Sequence, residues 1–324
     1  MRVVRYVVNL VLAVVLVGAM CLCLASGLAV VWARGWERYD LTEGSAQHNW
    51  VWIDERPIHY WIDGPEGSPA VALIHGHQVE GLETWRGTAR ALTRSGLRVV
   101  AIDLLGFGHS ARDPLADLST PGQAQVAGKV LNELRLSGAT VVGHGWGAAV
   151  ALEMARMQPQ LVGRLVLVDP IVAGSPGPAW RAVADVPYLG RAAAWAFEAG
   201  GPLWAASLRR GFHEPSRLSE EYLEAAREAS RIHGTLRTLA VMAAEREESD
   251  LVGALGGISQ PVLILRGADD PWVTHRDVQR LARELPDART ATIPEAGHYP
   301  QLERGSDVSG LLLDFSLGRA IATD

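Results

Sequence analysis

Cysteine is nearly missing from this chain of 324 residues: there are two, Cys21 and Cys23, both inside the first apolar segment. The remainder therefore has no disulfide framework and no thiolate metal site. Lysine is scarcer still, with Lys129 alone and arginine making up the rest of the 30 basic side chains. Against 36 acidic residues this leaves a formal charge of −6. No basic field exists to gather phosphate backbones, so nucleic acid is set aside as a partner. No internal repeat or low-complexity tract interrupts the sequence. At 48% hydrophobic residues, the chain has enough apolar mass for one large core or two modest ones.

Charge is absent altogether from residues 6–33, where 28 positions hold one strongly polar side chain, Asn9. As a helix this stretch would reach roughly 42 Å, enough to cross a hydrocarbon core of about 30 Å with tilt. Arg2 and Arg5 precede it, and Trp32, Arg34, Trp36 and Arg38 follow, where interface residues are expected. The reading is one transmembrane helix within an anchor over residues 1–38. A cleaved signal peptide is the alternative, although its apolar region would span only about 7–15 residues. The amino-terminal charge tips the orientation towards an extracytoplasmic domain. Residues 39–47 form a polar linker.

From residue 48 the pattern changes. Trp50-Val51-Trp52-Ile53 and Ile58-His59-Tyr60-Trp61-Ile62 flank a charged turn and predict a hairpin. Short apolar runs at 71–74, 99–102, 139–142 and 165–168 then alternate with helical patterns at 82–95, 120–135 and 146–157. Strands of this kind are buried on both faces of a parallel sheet. From 171 to 257 the strand signal vanishes, and an Ala-, Arg- and Trp-rich helical region takes over, broken by prolines. The alternation resumes with strands at 262–265 and 290–293 and helices at 274–285 and 308–317. The expected fold class is α/β, a mostly parallel sheet with helices on both faces. The core covers 48–170 and 258–324, and an all-helical cap covers 171–257.

Chemistry-bearing motifs sit at the strand ends, where open parallel sheets place their ligands. They are His75-Gly76, Asp103-Leu104-Leu105-Gly106-Phe107-Gly108-His109-Ser110, Gly143-His144-Gly145-Trp146-Gly147, Gly267-Ala268-Asp269-Asp270-Pro271 and Gly297-His298-Tyr299-Pro300. In this order the set resembles the α/β-hydrolase superfamily, the capped branch with esterases, epoxide hydrolases and haloalkane dehalogenases. The third motif is similar to the nucleophile elbow of that family, a strand–turn–helix that lifts a nucleophile above the sheet. The resemblance implies His298 as catalytic histidine and Asp270 as the acid that orients it. It implies an oxyanion hole from the backbone N–H groups of His77 and Trp146, and no cofactor or metal. The His77 side chain is not part of the family pattern.

The elbow's central position is Gly145, which offers no nucleophilic atom. Covalent catalysis there is excluded by composition, while glycine suits the turn's backbone. Three readings follow: a hydrolase-fold protein that binds an apolar or ester-like small molecule, an enzyme using His298–Asp270 as a general base, and an esterase disabled by one substitution. A non-catalytic partner-docking module is the fourth possibility. Trp180, Trp195 and Trp204 of the cap are the candidate substrate-binding aromatics.

Overall fold

The computed structural model describes residues 2–41, 49–172, 182–184, 186, 188–244 and 251–324, apart from the side chains of some α1 positions and of Pro202. The chain order is α1 (Arg2–Trp36), β1 (Asn49–Ile53), β2 (Arg56–Asp63), β3 (Ala70–Ile74), α2 (Arg86–Arg94), β4 (Arg98–Ile102), α3 (Thr120–Glu133), β5 (Ala139–His144), α4 (Trp146–Met157) and β6 (Val162–Val168). In the region read as the cap, five α-helices follow among the described residues: α5 (Leu189–Glu198), α6 (Pro202–Arg210), α7 (Glu220–Ser230), α8 (Thr235–Ala244) and α9 (Leu251–Ala254). Then come β7 (Val262–Gly267), α10 (His275–Glu284), β8 (Ala288–Ile293), α11 (Pro300–Glu303) and α12 (Gly305–Ser316).

The strands form one sheet in the order β1-β2-β4-β3-β5-β6-β7-β8. The β1–β2 and β2–β4 pairs are antiparallel, and every pair from β4 to β8 is parallel. The hairpin turns through Asp54 and Glu55, both with positive φ, at 46° and 64°. Two such residues match the right-handed twist of the flanking strands.

Alternate side chains of each parallel strand feed two cores. Ala72, Ile74, Val100, Ile102, Val141, Leu165 and Leu167 face α3 and α4, whereas Val71, Leu73, Val99, Val142 and Val166 face α2 and α12. A wholly apolar strand thus serves both faces, each fully buried branched side chain contributing roughly 1.5–3 kcal/mol. The segment read as one helix from residue 82 opens instead with a 3-10 turn over Gly81–Trp85. That turn is pinned by the Leu82 N–H donating to Asp103 Oδ1 at 2.6 Å.

The transmembrane reading of residues 6–33 gains no support among the described residues, where no helix is long and apolar enough to cross a membrane. The backbone of α1 nevertheless runs unbroken for 35 residues, with Leu12, Leu16 and other described apolar side chains ahead of Trp32 exposed. Its last turns lie on the cap: the Trp32 and Trp195 rings are 4.2 Å apart, and Trp36 Nε1 donates to Ser230 Oγ. Just beyond, Glu37 accepts the Leu236 N–H in the first turn of α8, a favourable place for a carboxylate.

The turn between β5 and α4 packs so tightly that its outer glycines are obligatory. A Cβ at Gly143 would collide with the carbonyl of Gly147, and one at Gly147 with that of His75. Gly147→Ala is accordingly expected to cost about 3 kcal/mol by overpacking against backbone that cannot yield. Chemical denaturation of the full chain reads this directly, and an unchanged midpoint would mean the turn is looser than described.

Candidate active site

The elbow is built as its sequence implies. Gly145 has φ 54° and ψ −119° and stands immediately before α4. Its N–H donates to Val168 O at 2.9 Å and its carbonyl accepts from the Ile171 N–H at 3.0 Å, which ties the turn to the end of β6. Unlike its glycine neighbours, position 145 has room. A Cβ built there meets only His298 within 4 Å, 3.4 Å from Nε2 and 3.9 Å from Cε1. The imidazole therefore faces the spot from which a nucleophile would project.

His298 lies in the loop after β8, 3% exposed. Its backbone N–H donates to Gly211 O of the cap. Glu303 braces the same loop by accepting the N–H groups of Gly297 and Glu214. His298 Nδ1 is 2.7 Å from Asp270 Oδ2, while Asp270 Oδ1 accepts from the backbone N–H groups of Trp272 and Val273. Burial alone would push the Asp270 pKa up. The hydrogen bond and charge of His298, the bond from Asp169 and the Trp272 N–H outweigh it and bring it to about 2. Asp270 is an anion, and His298 Nδ1 donates to it, so Nε2 is left to face the gap. Asp269, the neighbouring alternative, points away and pairs with His213 at the surface.

Asp169, at the end of β6, was not singled out in the sequence. It is fully buried, has φ 43°, and its Oδ1 accepts the Gly267 N–H. Burial and then the adjacent Asp270 charge raise its pKa well above the carboxylate range, so it stands neutral beside an ionised partner. The one available signal was Val168-Asp169-Pro170, an acid at a strand's C-terminal end like Asp103 and Asp270. Asp169, Asp270 and His298 also form the one cluster of possible metal ligands among the described residues, their atoms within 4.8 Å of one another. Within it, His298 and Asp270 are joined directly, at the 2.7 Å separation of a hydrogen bond.

His75 and His144 are committed elsewhere. His75 Nδ1 donates to Gly76 O and its Nε2 accepts the Leu104 N–H. Burial drives its pKa down to about 4. His144 is fully buried beneath the site and its Nε2 donates to His298 O, with burial first and the His298 charge second lowering it to about 3. Ser110 is a brace, donating to Asp103 O and accepting the His59 N–H. None of the three faces the gap.

A cavity of about 280 Å³ opens over Gly145, lined among others by His77, Gln78, Trp146, Trp204, Trp272 and His298. It is a little below the usual range for ligand clefts, roughly 300–1,000 Å³. As the first residue of α4, Trp146 carries an N–H that no earlier turn of the helix can satisfy. Of the cap aromatics named from sequence, Trp204 lines the cavity. Trp195 does not: it packs against Trp32 and Trp36 of α1. Trp180 lies outside the described residues. Trp272 takes a place sequence reasoning did not give it, edge-on to His298 with ring centres 4.8 Å apart.

Comparison with known proteins agrees with this architecture. Residues 69–305 match the model of the alpha/beta hydrolase fold family. A haloalkane dehalogenase of Mycolicibacterium paratuberculosis is 30% identical over 81% of this chain and 89% of its own length. The dihydrolipoyllysine-residue acetyltransferase component of the acetoin cleaving system of Pseudomonas putida is likewise 30% identical, over 81% of this chain and 67% of its own. Among solved structures, Cfl2 from Burkholderia cenocepacia superposes with a TM-score of 0.70 at 25% identity, covering 83% of this chain and 95% of that one. The sheet order, the strand-end motifs and the matched span agree, and the chain belongs to the α/β-hydrolase fold family.

Proposed function

We propose that this protein hydrolyses a small apolar ester-like molecule without a covalent intermediate, His298 activating a water molecule held where the family's nucleophile would stand. One observation carries the reading: His298 Nε2 looks into an open position at Gly145 while Nδ1 is held by an ionised Asp270. A pure binding protein gains nothing from a buried histidine–carboxylate hydrogen bond that leaves the other ring nitrogen facing the cavity. Water takes the place of the missing hydroxyl, loses its proton to Nε2 and attacks the carbonyl carbon. The developing oxyanion is met by the backbone N–H groups of His77 and Trp146, which do not depend on a side chain at position 145. Trp204 and Trp272 supply apolar walls for the acyl or alkyl group. No cofactor is needed for this sequence of steps.

Anchoring to a membrane through residues 6–33, with the catalytic domain extracytoplasmic, belongs to the same proposal. It is supported by the uncharged run in the sequence and by the exposed apolar side chains of α1. The full chain in detergent micelles, given short-chain p-nitrophenyl esters, tests the reaction. Release of nitrophenol above the buffer rate is expected. A rate equal to buffer across acyl lengths would leave ligand binding as the better account, with a tightly held ester analogue as its signature.

A further inference from the structure

The cavity contains a second histidine–carboxylate pair. His77, in the loop after β3, and Glu198, the last residue of α5 in the cap, both line it. His77 Nδ1 stands 3.1 Å from Glu198 Oε2, their side chains 22% and 16% exposed. The His77 ring is set edge-on between Phe107 and Trp146, with centres 5.2 and 5.6 Å away, so its orientation is fixed by packing. Neither side chain belongs to the base–acid pair already described, and nothing in the elbow needs them. A carboxylate brought from the cap to a loop of the core, inside a largely aromatic cavity, is costly unless it has a charged partner.

We infer that His77, held by Glu198, is the general acid of the same reaction, and that the natural substrate is an ester of an ordinary alcohol whose leaving oxygen must be protonated. The inference rests on the non-covalent hydrolysis proposed above. The steps balance. Water gives one proton to His298 Nε2, and its oxygen forms the new bond to the carbonyl carbon. The ester C–O bond then breaks, its electron pair leaving on the alcohol oxygen. That oxygen takes a proton from protonated His77, whose Nδ1 lies 3.1 Å from the Glu198 carboxylate and whose Nε2–H is the one to give. Water is consumed, a carboxylic acid and an alcohol are released, and solvent returns the His298 proton to His77. His298, once it holds the proton of water, could pass it on to the leaving oxygen as a triad histidine does. An acid already protonated at a second place in the cavity lets bond breaking proceed without that hand-over, and Glu198 of the cap is a positioning residue for it.

Leaving-group dependence isolates this role. A p-nitrophenyl ester expels an anion that needs no proton, whereas an ethyl ester of the same acid expels an alkoxide that does. For the full chain and for Glu198→Gln and His77→Gln, kcat/KM is measured on both esters and the ethyl-to-nitrophenyl ratio is compared. General acids contribute about 10²–10⁴-fold, so the ratio is expected to fall about 10²-fold or more in either variant. Because the ratio is internal to each protein preparation, partial unfolding cancels from it. A ratio within twofold of the parent's in both variants overturns the inference and reduces the pair to a brace between cap and core. Turnover of neither ester by the parent would instead remove the hydrolytic reading, and the acid role with it.

Discussion

Gly145→Ser is expected to convert this protein into an esterase that works through a covalent intermediate, with kcat/KM on p-nitrophenyl esters rising about 10³-fold. The introduced Cβ would stand 3.4 Å from His298 Nε2, an ordinary contact, which leaves the hydroxyl within hydrogen-bonding reach of the base. Its backbone must accept φ 54°, a region costly for a residue with a side chain, on the order of 1–3 kcal/mol. The variant should therefore be more active and less stable at once. Complete triads have been worth on the order of 10⁶ in kcat where members were removed singly, so a gain of about 10³ asks only for an imperfect one. A burst of nitrophenol and an acyl mass on the peptide holding position 145 are the readouts. Loss of stability with no burst would show that the histidine is misaligned despite its distance.

His298→Ala is expected to remove the parent's own turnover, by about 10²–10⁴-fold, the usual worth of a positioned base. Asp270→Asn should do nearly as much harm for a different reason. The amide would turn an N–H towards either His298 Nδ1 or the Trp272 and Val273 N–H groups, which now donate to the carboxylate. The imidazole would then sit in the wrong tautomer or the loop would be displaced. The two variants are distinguished by added imidazole, which can enter the space left by His298→Ala but repairs nothing in Asp270→Asn. If both variants keep the parent rate, water activation lies elsewhere and the pair is a structural remnant.

What the sequence revealed follows from how each feature is stabilised. Strands buried on both faces must be apolar throughout, so β3 to β7 could be read from composition, and their ends located the motifs. The elbow was visible because close packing forces glycine at 143 and 147, a steric demand that leaves its mark on the sequence. Asp169 left almost none. Its importance comes from lying beside Asp270 on an adjacent strand, and pairing between distant strands is a tertiary fact. Glu198 closes an amphipathic cap helix and reads there as solvated surface, since nothing local announces His77. Trp195 shows the converse: its composition suited a ligand wall, yet it serves as the seat for Trp32 and Trp36 of α1.

The measurement closest to the central claim is a stopped-flow time course of the full chain in micelles with a p-nitrophenyl ester, beside His298→Ala. Direct attack by water predicts nitrophenol release that is linear from the first turnover, without a burst or an acyl adduct, and abolished in the variant. A burst stoichiometric with protein would reveal a nucleophile on another residue, and a parent rate no higher than that of His298→Ala would deny the base its role. Either result would contradict the account.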